Sequence, residues 1–312
     1  MSILRFGPFL LALVACKPAD DPLDTDVDDT DDTAGLPLVF QYSFAIVADP
    51  HITGSTANTE RLTAALDWID ANAEDRTIEL VFVLGDIAWG SGLPTIRGLL
   101  HKLTVPYIPI IGDNVIQSGY EEDYYDTFAD HYALLGTQLD GFDYTDGSVF
   151  NPEHQKDSWF QNSSFQYKGL HFIDLDWCTR IIGGIEGEAA DLHDFDGGTW
   201  PWFEAYLTDL PSGTLEESVN LMTHHPMHWS PGGFNDEEEM AAITELTSSL
   251  GQYVAGNYAG HYHVDWDFAV EEGGYDVFAT DATWDDTNRV RIVEVWGDGE
   301  HFEYVQELVD VP

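Results

Sequence analysis

Positive charge is what this sequence has least of. Eleven Lys and Arg residues stand against 57 Asp and Glu in 312, a formal net charge of −46. So few cations cannot build a basic face, which excludes nucleic-acid binding by phosphate neutralisation and adhesion to anionic lipid headgroups. The acid excess keeps the chain soluble and self-repelling, and a salty medium would screen that repulsion. Phosphate substrates would be repelled at long range, so phosphate chemistry here needs a local positive centre such as a metal ion. Cysteine is almost absent, with only Cys16 and Cys178. There is no internal repeat. Apolar residues (44%) and aromatics (13%) are plentiful, so the chain as a whole is not disordered, and its length suits one large domain or two small ones.

The first apolar run, residues 6–15, is too short to span a bilayer and follows the single charge of Arg5. It ends in Leu13-Val14-Ala15-Cys16, which resembles the lipobox of bacterial lipoproteins, where the Cys is lipidated and becomes the mature N-terminus. An ordinary secretory signal is the competing reading, against which a simple A-x-A cleavage site is missing. Residues 1–15 are thus expected to be a lipoprotein signal peptide and 16–36 an Asp-rich tether. Attachment to the membrane would run only through Cys16. Lys17, rather than Asp, after the Cys points to an outer-membrane or surface position in the cell envelope. One acyl chain anchors only marginally, so this reading requires multiple acylation. The tether lacks the closing Glu of a calcium loop and reads as a solvated spacer. With Cys16 lipidated no intrachain disulfide can form, and Cys178 reads as a buried structural thiol rather than a reactive one.

The remaining residues, 37–312, read as one α/β domain. Val39 to Ala48, Leu80 to Leu84 and Val105 to Ile111 are apolar strands. Between them, residues 57–74 and 93–103 have helical spacing, with Leu62, Ala65, Leu66 and Ile69 on one face of the first helix. That alternation implies a parallel core. A helix around 121–134 sits in an otherwise loop-rich, acidic stretch over 115–160. Strands follow at 164–167 and 170–175, then a Gly/Asp-rich insertion at 179–198, a helix at 200–210 and a strand at 219–222. A helix near 236–250 and a strand at 252–255 come next, and 265–309 alternates as antiparallel strands do.

Five short motifs close these apolar runs: Asp49-Pro50-His51, Gly85-Asp86, Gly112-Asp113-Asn114, His224-His225-Pro226 and Gly260-His261-Tyr262-His263. Each alone has an ordinary explanation, such as a helix cap or a surface His pair. Together they supply carboxylates and imidazoles enough for two divalent metal ions, a clamp suited to phosphoryl hydrolysis. Ligands of open α/β sheets bind beyond the carboxyl ends of the strands, where the first three motifs fall. In an extended segment His224 and His225 face opposite ways, so one of them is expected to enter the site.

In this order the motifs resemble those of the calcineurin-like metallophosphoesterases, over residues 40 to 296. The resemblance implies a four-layer αββα sandwich of two mixed sheets flanked by helices, with a dimetal centre at the strand ends. It implies that Asp49, His51 and His263 hold one metal, that Asp86 bridges, and that His224 and His261 hold the second. His225 would be a substrate-side neighbour or structural. The metals would be two divalent ions, Mn, Fe or Zn. The implied reaction is hydrolysis of small phosphate mono- or diesters by a metal-bridging hydroxide.

The third motif departs from the family's Gly-Asn-His. Direct registry makes Asp113 the ligand and puts Asn114 where the family has its His; a one-residue slip keeps Asn114 as the ligand. Either way the His is missing, and Asn can donate a hydrogen bond but no proton. His225, His154 or a metal-bound water are the candidates to compensate. Trp89 stands where purple acid phosphatases have Tyr, and Gly90-Ser91-Gly92 where Ser/Thr protein phosphatases have Arg, so neither subgroup is expected. Trp89, Trp177, Trp200, Trp202 and Trp229 are candidates for a rim, core packing being the competing role. Two other functions fit the same residues: a surface lipoprotein that binds metal or ligand without turnover, and a mononuclear or nuclease-like hydrolase.

Overall fold

Strand β1 (Val39–Ala48) is apolar from Tyr42 inward because both of its faces are covered, and β2 (Ile78–Leu84) and β3 (Tyr107–Ile110) run parallel beside it. In the computed structural model, residues 37–180, 190–191, 196–227, 237–250, 253–270, 274–284 and 288–312 are described. Cys16, the signal and tether segments, most of the insertion at 179–198 and Trp229 lie outside them.

Helix α1 (Thr56–Arg76) joins β1 to β2. Ser55 caps it by accepting from the Asn58 N–H at 3.3 Å, and Leu62, Ala65, Leu66 and Ile69 are its buried stripe. Helix α2 (Leu93–Leu100) leads to β3, and a short helix α3 (Asp113–Gln117) starts directly after it. Helix α4 (Glu121–Gln138) ties β3 in place, its Tyr132 hydroxyl donating to the Pro109 carbonyl at 2.8 Å. The stretch 140–158, expected as loop, holds strands β4 (Asp140–Tyr144), β5 (Val149–Asn151) and β6 (Lys156–Ser158).

The second half contributes β7 (Ser163–Tyr167), β8 (Leu170–Leu175), α5 (Thr199–Thr208), β9 (Val219–Thr223), α6 (Glu237–Ser248) and β10 (Val254–Ala259). After them come β11 (Trp266–Val270), β12 (Tyr275–Ala279), β13 (Arg289–Gly297) and β14 (Phe302–Asp310). Among the described residues the strands form a five-stranded sheet, β14-β13-β1-β2-β3, and a seven-stranded sheet, β11-β12-β10-β9-β8-β7-β4, beside the β5-β6 hairpin. Both large sheets are mixed. The C-terminal stretch is antiparallel except where β12 lies parallel to β10, so one of its strands also points its carboxyl end toward the motifs.

The sheets face each other through aromatics. Phe44 meets Phe172 and Tyr258 at 5.6 Å, edge-on, and Phe82 meets Phe172 at 5.1 Å. Helices α1 and α2 pack on the first sheet, while Phe203 and Leu207 of α5 and Ile243 of α6 pack on the second. The result is helices, sheet, sheet, helices, as expected. Burying these side chains at about 25 cal/mol per Å² is the main force fixing where the strand ends meet.

Candidate metal centre

All five motifs converge at the carboxyl ends of β1, β2, β3, β9 and β10, and backbone hydrogen bonds stitch them together. The His51 N–H donates to Asp86 O (2.9 Å), Gly85 N–H to Ile110 O (3.1 Å) and Gly260 N–H to His224 O (2.9 Å). The His261 N–H donates to both oxygens of Asp49, at 3.1 and 3.0 Å. Five of the nine non-glycine residues with positive φ among the described residues are Asp49, His51, Asp86, His261 and His263, at 40° to 69°. Such conformations cost on the order of 1–2 kcal/mol each and persist only where the surroundings impose them.

Glycine is required here for space. A Cβ at Gly85, which has φ +69°, would lie 1.9 Å from His224 Nδ1, and one at Gly260 would lie 2.4 Å from Asp49 Oδ2. The motif glycines let neighbouring strand ends close on the ligating atoms.

Ring nitrogens and carboxylate oxygens gather in three overlapping sets, each within 4.8 Å: Asp49, His51 and His263; Asp49, Asp86 and His224; Asp113, His224, His225 and His261. Asp113 Oδ1 is 2.9 Å from His224 Nε2, which is itself 3.2 Å from His261 Nδ1. Asn114 turns away from this set. Its backbone N–H donates to Asp86 Oδ1 at 3.0 Å and its side-chain amide to Asp86 Oδ2, while Gln117 donates to its Oδ1 at 3.2 Å. His225 is fully buried, its ring 4.5 Å from that of His261 and its Nδ1 3.9 Å from Cys178 Sγ. His154 sits in the β5–β6 turn, its N–H bonded to Asn151 Oδ1.

The electrostatics are those of a site short of positive charge. Asp49, Asp86 and Asp113 are 0, 2 and 1% exposed, and among the described residues no Lys or Arg pairs with them. Burial raises Asp86 to about 7, with the Asp113 charge adding to it. Burial also raises Asp49 well above the carboxylate range, only partly offset by His224. At His224 burial opposes the charge, yet Asp86, Asp113 and Asp49 outweigh it and raise the imidazole to about 10. Burial of Asp113 is overcome by hydrogen bonds from His224 and His261, which hold it well below its ordinary value. Burial, then His263, lowers His51 to about 3.

These residues fit divalent metal. The donors are carboxylate oxygens and imidazoles, and among the described residues the buried His51 Nε2 and His224 Nδ1 have no hydrogen-bond partner.

Two indoles flank one side. Trp89 lies 5.4 Å from His51, and Trp284 lies 5.2 Å from His51 and 5.4 Å from His263. Trp284 escaped sequence reasoning because β12 was taken as purely antiparallel. The signal was available in an apolar strand followed by Thr280-Asp281-Ala282-Thr283, whose Thr283 N–H bonds Ala48 O at the end of β1. Trp177 belongs to the core, and Trp200 and Trp202 pack against it.

No protein-family profile and no curated protein sequence matches the chain. Solved structures do. A dimetal phosphatase from Danio rerio superposes with a TM-score of 0.57 at 13% identity, over 86% of this chain and 99% of its own. A Staphylococcus aureus protein assigned as a 5′-nucleotidase superposes at 0.55 with 12% identity, over 86% of this chain and 54% of its own. This chain spans about half the length of that second protein. The shared fold is a metallophosphoesterase sandwich. At this identity the likeness speaks for the fold, and the centre must be argued from its own residues.

Proposed function

We propose that this protein is a metal-dependent phosphoesterase that hydrolyses small phosphate mono- or diesters at a dinuclear centre. The observation that carries the reading is the pair of ligand sets, Asp49/His51/His263 and Asp113/His224/His261, with Asp86 between them. Asp113 is taken as the ligand because its Oδ1 lies with the imidazoles, whereas Asn114 is turned onto Asp86. The ions supply Lewis acidity toward the phosphoryl group and toward water. The chain's own work is positioning. Asn114 fixes both oxygens of Asp86, the His261 N–H fixes Asp49, and Trp89 and Trp284 keep water from one side of His51 and His263. Asn114 itself cannot protonate a leaving group, so esters with good leaving groups are the favoured substrates. The location proposed is the cell envelope, through lipid on Cys16; Cys16→Ser should move the protein out of the membrane fraction.

The test is hydrolysis of an activated monoester and diester by the protein with Mn²⁺, Zn²⁺ or Fe²⁺, beside Asp86→Asn. Metal-dependent turnover lost in the variant carries the reading. The missing motif His favours a second reading, a metal- or ligand-binding protein that has lost catalysis. That reading predicts two ions per chain and no turnover of even activated esters.

A further inference from the structure

Apart from Arg5 and Lys17 the chain has nine cationic side chains, and none serves the centre. Seven pair with other acids: Arg76 with Glu307, Arg97 with Asp130, Lys156 with Glu121, Lys168 with Glu79, Arg180 with Asp176, Arg289 with Asp265 and Arg291 with Asp267. Arg61 donates to the Trp284 carbonyl, and Lys102 is exposed beyond the end of α2. The segments 181–189, 192–195 and 228–236 contain no Lys or Arg at all. An ester bound here meets positive charge only from the metal ions, and those face three buried carboxylates. Two divalent ions bring four charges; Asp49, Asp86 and Asp113 cancel three and the attacking hydroxide the fourth, whereas an amide at position 113 would leave one.

The charge balance points to the ester class. Resting on the phosphoesterase reading, we propose that the centre selects phosphate diesters, with one negative charge, over monoesters, with two, and that Asp113 sets this selection. A cavity of about 600 Å³ is lined by Gly90, Ser91 and Tyr120, which follow Asp86 and Asn114 in the chain, and its Arg97 is outnumbered by Asp123 and Asp126. Hydrolysis adds one water across one P–O bond. For a diester the water oxygen stays on phosphorus, one proton goes to the leaving oxygen, an alcohol or phenol departs, and the monoester left behind loses the other proton to solvent at pH 8. The product carries the second charge that the centre disfavours, which speeds its release.

The experiment compares methyl p-nitrophenyl phosphate with p-nitrophenyl phosphate, which share a leaving group, on the metal-loaded full chain at pH 8. Asp113→Asn and Asp113→Glu are run beside it, with metal content measured for each. One unit charge a few ångströms away, at an effective dielectric of about 20–40, is worth on the order of 10- to 100-fold. The wild type should favour the diester, Asp113→Asn should shift kcat/KM toward the monoester by that factor, and Asp113→Glu should not. A wild-type preference for the monoester would overturn the inference and leave the phosphoesterase standing. So would an unmoved ratio in an Asp113→Asn protein that keeps two metals. Absence of turnover on either ester would overturn the phosphoesterase reading instead. Calorimetry on the same metal-loaded protein then decides: tighter binding of dimethyl phosphate than of methyl phosphate carries the selection, and the reverse order refutes it.

Discussion

Around Arg180 and around His224 the domain buries charge in two different ways. Arg180 is 1% exposed, sits 2.5 Å from Asp176 Oδ2 and 3.2 Å from Glu121 Oε2, and lies over the ring of Phe160 at 4.1 Å. Lys156 closes the far side of Glu121 at 2.8 Å. That cluster carries its own cations. Around His224 three carboxylates, as deeply buried, have imidazoles for neighbours and no Lys or Arg. Their counter-charge is the imidazole of His224, raised to about 10, which can give up its proton to a divalent ion; that is why metal is proposed here and not at the Arg180 cluster. The first cluster is architecture; the second is a socket.

The largest test of this contrast removes the carboxylate between the two ligand sets. Asp86→Asn should lower metal-dependent kcat by at least about a thousandfold while the fold persists, since the amide is nearly isosteric. Steady-state kinetics with circular dichroism on the same sample check it. Arg180→Met is the counterpart, leaving Asp176 without its cation. Because Lys156 still pairs with Glu121, the charge left without a cation is that of Asp176, and the variant should destabilise by about 3–5 kcal/mol in urea unfolding with metal stoichiometry unchanged. Gly85→Ala drives a methyl into the His224 ring and should cost more than about 2 kcal/mol together with weakened metal binding. Unchanged stability and unchanged metal binding in that variant would show that the close approach is not needed.

The smallest effect is a pH dependence. Without metal, Asp86 at about 7 and His224 at about 10 are both raised. The stability each contributes is full below its unfolded value and is lost as pH rises through the folded one. Metal requires both deprotonated, so binding releases protons. His51, lowered to about 3, is already neutral and releases none near pH 7. The rise in Tm on adding Mn²⁺ should therefore be greater at pH 8 than at pH 6, read by differential scanning calorimetry. An equal rise at both would show that no proton leaves the centre.

The strand ends were legible in the sequence because an apolar run stopped by Gly-Asp or Gly-His is a local signal. Val39–Ala48 and the stripe Leu62, Ala65, Leu66, Ile69 appear in the structure as read. Strand β10 was read short, at 252–255 rather than Val254–Ala259, because Gly256 and Asn257 break the apolar pattern. Asn257 is nevertheless buried, donating to Leu221 O at 3.1 Å and to Thr223 Oγ1 at 2.9 Å, partners that only the fold supplies. The Arg180 cluster was unreadable for the same reason: Glu121 lies 59 positions away, and nothing local marks the pair. The choice between Asp113 and Asn114 also needed three dimensions, since it turns on which side chain faces His224 and which faces Asp86.

Three buried carboxylates with imidazoles and, among the described residues, no Lys or Arg beside them mark the proposed dimetal centre. Its most direct test is the number of Mn²⁺ or Zn²⁺ ions retained per full-length chain after equilibrium dialysis, measured by inductively coupled plasma mass spectrometry beside Asp86→Asn. Two ions per wild-type chain, falling to one or none in the folded variant, is the result predicted. A folded wild-type protein that retains no metal would contradict it.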